Sequence, residues 1–201
     1  MQSKIEAFKQ HVREISANPS FIHHKWFVQW HLEVVERVAR ELLAHYPEAD
    51  SELVEVMVWL HDYGKILDFD NQYTVTLIAG RLKLTELGFP AELVNRAVTG
   101  IETLDKKMEL DLHQASIEVR IVSSADGCSH MVGPFMYAVW HEATDTTFVG
   151  KTLDELLVAN LKKANKDWTR KIVLPEARAA FERRYKVICE QSGELPEALL
   201  Q

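Results

Sequence analysis

His61 and Asp62 stand side by side within residues 59–65, at the end of an apolar helical pattern. His61 continues the apolar face of that pattern, whose residues recur at helical spacing: Leu53, Met57 and Leu60. An imidazole and a carboxylate are both metal ligands and proton carriers, so the pair indicates a site at a helix end. We expect Gly64 to end this helix by taking a positive φ angle.

Two further residues can complete a site around this pair. His31 lies 30 residues before His61, on the apolar face of the preceding predicted helix. Helices joined by a short link pack as neighbours, so both imidazoles can face one point. Asp126 lies on the buried side of a later predicted helix, where an aspartate needs an ion or a hydrogen-bond partner. Two imidazoles and two carboxylates form a mixed nitrogen and oxygen set that suits Mn, Fe, Co, Ni or Zn.

Three segments of the chain resemble motifs of the HD superfamily of metal-dependent phosphohydrolases. Residues 31–39 (HLEVVERVA) resemble its first-histidine helix, and residues 59–65 (WLHDYGK) resemble the motif that gives the superfamily its name. Residues 123–126 (SSAD) resemble the segment with its final aspartate. The resemblance covers about residues 21–140 and implies the fold and the metal site, whereas it says almost nothing about the substrate.

By this resemblance the cofactor is one divalent metal ion held by His31, His61, Asp62 and Asp126, with its identity open among Mn, Fe, Co, Ni, Zn and Mg. Such an ion polarises a phosphoryl oxygen and lowers the pKa of a water. Asp62 is also expected to orient or deprotonate that water. Lys65, one turn beyond His61, is expected to meet a phosphate oxygen as a point charge. Asp62 and Lys65 are therefore the expected catalytic residues.

The chain also departs from several branches of the superfamily. Members with two metals carry further histidines near the positions of residues 71–76 and 101–104, and this chain has none there, which favours a single metal. Gly64 and Lys65 replace the acidic pair that follows the His-Asp motif in alarmone hydrolases, so that activity is disfavoured. The long Gly-Tyr-Pro signature of the cyclic-dinucleotide branch is absent.

Other polar residues have two interpretations. His130 is four residues after Asp126, so it would contact substrate, together with Lys65, if the helix of Asp126 continued that far. Alternatively, Gly127 would end this helix before His130. Glu102 is expected to be a solvated helix end instead of a further site acid. We favour a solvated helix face over an anion-attracting surface for a C-terminal basic group: Lys162, Lys163, Lys166, Arg170 and Lys171.

Aromatic residues near the predicted site are also open to two interpretations. His23 and His24 can line the mouth of a pocket, but packing or solvation beside two tryptophans is favoured. Three aromatic residues can stack on a nucleobase, although such residues near a pocket more often belong to the core: Phe135, Tyr137 and Trp140.

Helical periodicity and few helix breakers predict an all-α fold. The helices are expected at residues 3–17, 21–46, 51–62, 74–87, 90–102, 112–126, 152–166 and 175–192, and no segment alternates with the period of a strand. We expect an HD-domain helical bundle forming a single domain over residues 1–201. Its core would span about residues 21–140, with residues 141–201 as a C-terminal helical extension packed on it.

Composition restricts the possible functions. The 201-residue chain is 47% hydrophobic and carries a net charge of −7, which argues against nonspecific nucleic-acid binding. Cys128 and Cys189 have no metal-ligand spacing and are expected to be free thiols. No apolar signal core or membrane-spanning run is found, so a cytoplasmic protein without membrane partners is expected. Whether it forms a homodimer is left open.

Three functions follow from these patterns. We favour a metal-dependent phosphohydrolase that acts on a small phosphate ester, with a nucleotide as the favoured substrate class. Whether the ester is a monoester or a diester is left open. The alternative is a regulatory module that keeps the fold and binds metal and nucleotide without turnover. An oxygen-dependent enzyme ranks third, because that chemistry normally requires a second metal and more histidines.

Overall fold

The structure is a computed structural model that describes residues 1–132 and 150–193, and this part of the chain is all-α, as predicted. Its helices are α1 Gln2–Ser16, α2 Glu33–Leu43, α3 Ser51–Leu60, α4 Tyr63–Leu67, α5 Gln72–Glu86, α6 Ala91–Asp105, α7 Ile117–Ser129, α8 Leu153–Lys166 and α9 Pro175–Gln191. One π-helical turn, Val28–Leu32, leads into α2, and a second, Asp167–Lys171, follows α8. A 3₁₀ turn, Leu112–Gln114, precedes α7. Within these ranges no helix is both long and apolar enough to cross a bilayer.

The second predicted helix differs most from the structure. Instead of one helix over residues 21–46, the chain forms successive turns, then the π-helical turn Val28–Leu32 and α2. Phe21 and Phe27 are buried there, with their rings edge to face at 5.1 Å. Packing of these bulky rings decides the backbone in this segment, in preference to the local helical pattern.

Helix α3 lies at the centre of the bundle. It is buried on nearly every side and packs against α1, α2, α6 and α7, which explains why its sequence is apolar all round. The Asp50 carboxylate accepts a hydrogen bond from the backbone N–H of Leu53 and so caps the first turn. The helix therefore delivers His61 from a rigid core element to its carboxyl end.

A buried polar cluster fixes α1, α2 and α3 against one another. The indole N–H of Trp59 donates to Glu36 at 2.9 Å, and the Lys9 ammonium lies 2.9 Å from the same carboxylate. Lys9 also pairs with Glu55 on α3. Because Trp59 is two residues from His61, this cluster holds the end of α3 against the helix that follows His31.

The expectation for Gly64 is wrong. Its φ angle is not positive, and the residue lies inside the short helix α4. A Cβ atom at Gly64 would come within 2.1 Å of the Gln72 carbonyl oxygen, and the Gly64 N–H donates to the Thr76 hydroxyl at 2.8 Å. This glycine is needed for the close approach of α4 to α5, and α3 ends without it.

The C-terminal part of the described chain is fastened to α7. The hydroxyl of Ser124 accepts hydrogen bonds from the N–H groups of Val173 and Leu174, each at 3.1 Å, and Ser123 donates to the Lys171 carbonyl. A Cβ at Gly127 would meet Ile172 at 2.7 Å, so glycine permits this approach. The two serines thus bring the π-helical turn Asp167–Lys171 against α7.

Candidate metal centre

His31 is placed by the π-helical turn before α2 and fixed by a neighbour on α7. The Ser129 hydroxyl donates to the Asp126 carbonyl at 2.8 Å, so its lone pair accepts from His31 Nδ1–H at 3.1 Å. Burial lowers the pKa of His31, against the opposing effect of Asp62, and the ring is held neutral. Its Nε2 lone pair is then directed into the site.

His61 is fixed in the same sense by its own helix. Its Nδ1–H donates to the Val58 carbonyl at 2.7 Å, one of the carbonyls left unpaired at the end of α3. The Nε2 atom is then the free nitrogen, and it lies 3.2 Å from Nε2 of His31. Two nitrogen lone pairs that face each other at this distance repel unless a proton or a cation lies between them.

Asp62 and Asp126 bring two carboxylate oxygens to the same point. Oδ2 of Asp62 lies 3.2 Å from His31 Nε2 and 3.7 Å from His61 Nε2. Oδ1 of Asp126 lies 3.9 Å from each of these nitrogens. Donors bound at about 2.0–2.2 Å to one ion are about 3.0–3.4 Å apart, so the set is close to a coordination shell.

These distances describe how well the four residues fit a divalent metal. Two groups of three residues have ligand atoms that all lie within 4.8 Å of one another. One group is His31, His61 and Asp62, and the other is His31, Asp126 and His130. The donor set is nitrogen and oxygen without thiolate, which suits a borderline or hard divalent cation. The residues present fit a metal ion; their role as its ligands stays a prediction.

A lysine neutralises the carboxylate of the His-Asp motif. The Lys65 ammonium lies 2.6 Å from Oδ2 of Asp62, one turn along the chain. Burial favours the neutral acid, but the positive charge of Lys65, with smaller contributions from the two histidine rings, outweighs it, so the pKa of Asp62 lies well below its usual range. Asp62 is therefore ionised at neutral pH, as a metal ligand or a base must be.

A second lysine, from the C-terminal region, neutralises the other carboxylate. Lys171 is buried, with 7% of the residue exposed, and its ammonium lies 2.7 Å from Oδ2 of Asp126. Burial would lower the pKa of Lys171, but Asp126 and Asp167 outweigh it and raise this pKa above its usual range. Lys171 in turn helps to hold the pKa of Asp126 well below its usual range, against burial. Asp126 keeps its other oxygen, Oδ1, for the histidines.

His130 reaches the site because α7 does not end at Gly127. Its Nε2 lies 3.4 Å from Oδ1 of Asp126, and its ring stacks on that of His31 with centroids 5.3 Å apart. Nδ1 lies 2.9 Å from the fully buried carboxylate of Asp167, which fixes the ring orientation. Burial lowers the pKa of His130 to about 3, so the ring is neutral.

The preferred interpretation of the basic group is wrong for two of its members. Lys171 is buried at Asp126, and Lys163 lies 3.1 Å from His130 and 3.4 Å from Asp167. Sequence reasoning missed Asp167 altogether. A usable signal was present, because Lys163, Asp167 and Lys171 recur every four residues, one acid between two bases on a single helix face.

The site opens into a cleft of about 220 Å³. His23, Trp26 and Tyr73 form part of its wall, so His23 lies at the pocket and also packs against Trp26 with ring centroids 4.8 Å apart. Glu102 is exposed and pairs with Lys106 on the helix surface, as expected. The aromatic residues proposed for nucleobase stacking lie outside the described residues: Phe135, Tyr137 and Trp140.

Asp105 lies beyond the predicted helix over residues 90–102, but it is the last residue of α6 and lines the cleft. Its Oδ2 is buried and has no hydrogen-bond partner within the described ranges. Burial raises the pKa of Asp105 to about 6, with Asp62 and Asp126 adding repulsion that Lys107 only partly offsets. Folding therefore favours the neutral form of this carboxyl relative to the unfolded chain, and the group is still mostly ionised at pH 7.

Replacing Asp105 with asparagine is expected to stabilise the metal-free protein at alkaline pH. Since the pKa rises from 3.8 to about 6 on folding, the destabilising effect of the charge is absent below pH 4 and complete above pH 7. A shift of two pKa units corresponds to about 3 kcal/mol, and partial solvation reduces this to roughly 1–2 kcal/mol. Denaturant unfolding at pH 4 and pH 8 with chelator measures the difference.

A matched control for this prediction is Glu109→Gln, an exposed acid on the segment after α6. We expect the control to change unfolding at neither pH. Equal stabilities of wild type and Asp105→Asn at pH 8 would show that the carboxylate is well solvated or paired in the folded protein.

Comparison with known proteins supplies one match. A family profile described as HD domain matches residues 30–131. This range contains both histidines and both aspartates of the candidate site, and it ends before Lys163, Asp167 and Lys171. No curated protein and no solved structure is significantly similar to the chain.

Proposed function

The chain belongs to the HD superfamily of metal-dependent phosphohydrolases, and from this premise we propose that it hydrolyses a small phosphate ester, with a nucleotide as the favoured substrate class. The observation that carries the proposal is the convergence of two imidazole lone pairs and two ionised carboxylates on one point of a cleft. Without a cation, this set is repulsive between the two nitrogens.

His31, His61, Asp62 and Asp126 would hold the metal in this proposal. When bound, a divalent metal would polarise a phosphoryl oxygen and make a nucleophilic water available near neutral pH. The histidines contribute Nε2 donors of fixed orientation, because Ser129 and the Val58 carbonyl occupy their Nδ1–H groups. The fold thus orients the donors before any ligand arrives, which lowers the reorganisation needed on binding.

The charged side chains have separate tasks in the proposed reaction. Asp62 is ionised and belongs to the donor set, so it would orient the attacking water and accept a proton from it. Lys65, 2.6 Å from Asp62, is placed to meet a phosphoryl oxygen and to oppose the charge that develops there. Lys171 keeps Asp126 ionised and oriented.

The proposal is tested by turnover. Purified protein stripped of metal is assayed against mononucleotides and generic phosphate monoesters and diesters, with Mn, Co, Ni, Zn, Fe or Mg added back singly. We expect hydrolysis of at least one ester that requires added metal and stops with chelator. Absence of turnover with every ester, in protein shown to contain metal, would contradict the proposal. Tight nucleotide binding without product would then support the regulatory module.

A further inference from the structure

The cleft at the candidate metal centre is lined by an unusual number of lysines. Five of them face it, from four different parts of the fold: Lys65, Lys107, Lys163, Lys166 and Lys171. The chain as a whole carries a net charge of −7, so this concentration runs against the overall composition. Positive charge focused in a cleft attracts anionic ligands and raises their local concentration.

Counting charges indicates how many negative charges the cleft accommodates. Three aspartates line it, Asp62, Asp105 and Asp126, and Asp167 lies buried behind Lys163 and Lys171. Five lysines against four aspartates leave an excess of one positive charge, which a divalent ion would raise to three. A phosphate monoester carries at most about two negative charges at neutral pH, so a single phosphoryl group leaves the cleft positive.

The five lysines fall into two sets by their partners. Lys65 and Lys171 form ion pairs, at 2.7 Å or less, with the carboxylates of the candidate ligands Asp62 and Asp126. Lys163 belongs to this first set, because it lies 3.1 Å from Nδ1 of His130 and 3.4 Å from Asp167. Lys107 instead lies over the ring of Tyr73, 5.8 Å from its centroid, and donates to the Leu104 carbonyl at 3.3 Å. Lys166 is exposed at the end of α8, and neither lysine has an ion pair among the described residues. These two come from separate parts of the chain, the segment just after α6 and the end of α8, and line the same cleft.

We propose that Lys107 and Lys166 form a second anion subsite, so that the ligand of this cleft carries a second phosphoryl group beyond the one at the metal centre. The class is a diphosphate or a higher phosphorylated compound. This inference rests on the proposed function and narrows its substrate class. The small volume of the cleft, about 220 Å³, suits a compact, highly charged group better than a bulky uncharged one.

Phosphate and pyrophosphate are the two probes for the subsite. Calorimetric titration of each into metal-loaded full-length protein, at one fixed free metal concentration, is compared for wild type, Lys107→Gln and Lys166→Gln. We expect wild type to bind pyrophosphate about 10-fold more tightly than phosphate, and each substitution to weaken pyrophosphate about 3- to 10-fold. Phosphate affinity is expected to change less than twofold in both variants, because one phosphoryl group occupies the metal centre.

Lys162→Gln is the matched control, since Lys162 is an exposed lysine of α8 that does not line the cleft. Equal affinities for the two anions, or substitutions that weaken both anions alike, would overturn the subsite. Turnover of a phosphate ester without the pyrophosphate preference would refute the subsite and leave the proposed function standing. The preference without turnover of any ester would support the subsite and count against the proposed function.

Discussion

Replacing Asp62 with alanine is expected to reduce phosphate-ester turnover at least about 10³-fold and to deplete bound metal. Asp62 supplies a donor oxygen 3.2 Å from His31 Nε2 and is the proposed proton acceptor, so one substitution removes two contributions. Its side chain belongs to the cleft and not to the apolar core. The circular-dichroism spectrum should therefore stay close to that of wild type while turnover and metal content fall.

Asp70→Ala is the control for this variant, because Asp70 is an exposed aspartate eight residues further along the chain. It should keep wild-type turnover and metal content. Wild-type turnover by Asp62→Ala would contradict both roles of Asp62. If Asp62→Ala loses helical circular-dichroism signal, the same measurements are made on Asp62→Asn, which keeps the shape of the side chain.

Replacing Lys171 with methionine is expected to destabilise the metal-free protein by about 3 kcal/mol. Lys171 lies 2.7 Å from Asp126 and 3.4 Å from the fully buried Asp167, and its loss leaves both acids close together without their main positive partner. Breaking a buried ion pair by removing one member costs about 3–5 kcal/mol. In a protein of this size, about 3 kcal/mol corresponds to a Tm lower by roughly 6–12 °C.

Thermal unfolding with chelator and with added metal tests this prediction. Added divalent metal should restore part of the lost stability, because a cation beside Asp126 replaces some of the missing charge. Lys186→Met serves as control, since Lys186 is an exposed lysine of α9 paired with Glu182, and it should change Tm little. A Tm for Lys171→Met within the range of the control would show that Lys171 does not stabilise the acids.

The helical periodicity of the sequence suffices to predict much of the fold and the residues that line half of the cleft. His31, His61 and Asp126 each fall in register with an apolar stripe, and residues in register with such a stripe point inward. Asp50 has the short acceptor side chain that an N-cap requires, and it accepts the Leu53 N–H. These features are local, so one chain without relatives suffices to predict them.

The other half of the cleft depends on interactions that a local pattern does not contain. Lys163, Asp167 and Lys171 recur every four residues, but this spacing does not reveal that α7 packs on the turn that carries Asp167 and Lys171. Ser123 and Ser124 bring that turn to α7 across almost fifty residues of chain. Lys171, which the sequence places on a solvated face, is therefore buried where this turn packs on α7.

The roles of Gly64 and Asp105 are not visible in the local sequence for a related reason. Gly64 has the sequence context of a helix end, but it is required by α5, which comes within contact of α4. Asp105 ends α6 at the start of a charged run, and only the packed bundle shows that it lines the same cleft as Asp62 and Asp126. Both roles arise from tertiary packing, which overrides local propensity.

The metal content of the purified protein tests the central claim most directly. Elemental analysis of wild type and Asp62→Ala, each saturated with a divalent metal and then desalted, counts ions per chain. The four-donor site predicts close to one equivalent in wild type and well under half an equivalent in Asp62→Ala. Wild-type protein that retains no metal after any supplement, or that retains two equivalents, would contradict a single metal centre formed by His31, His61, Asp62 and Asp126.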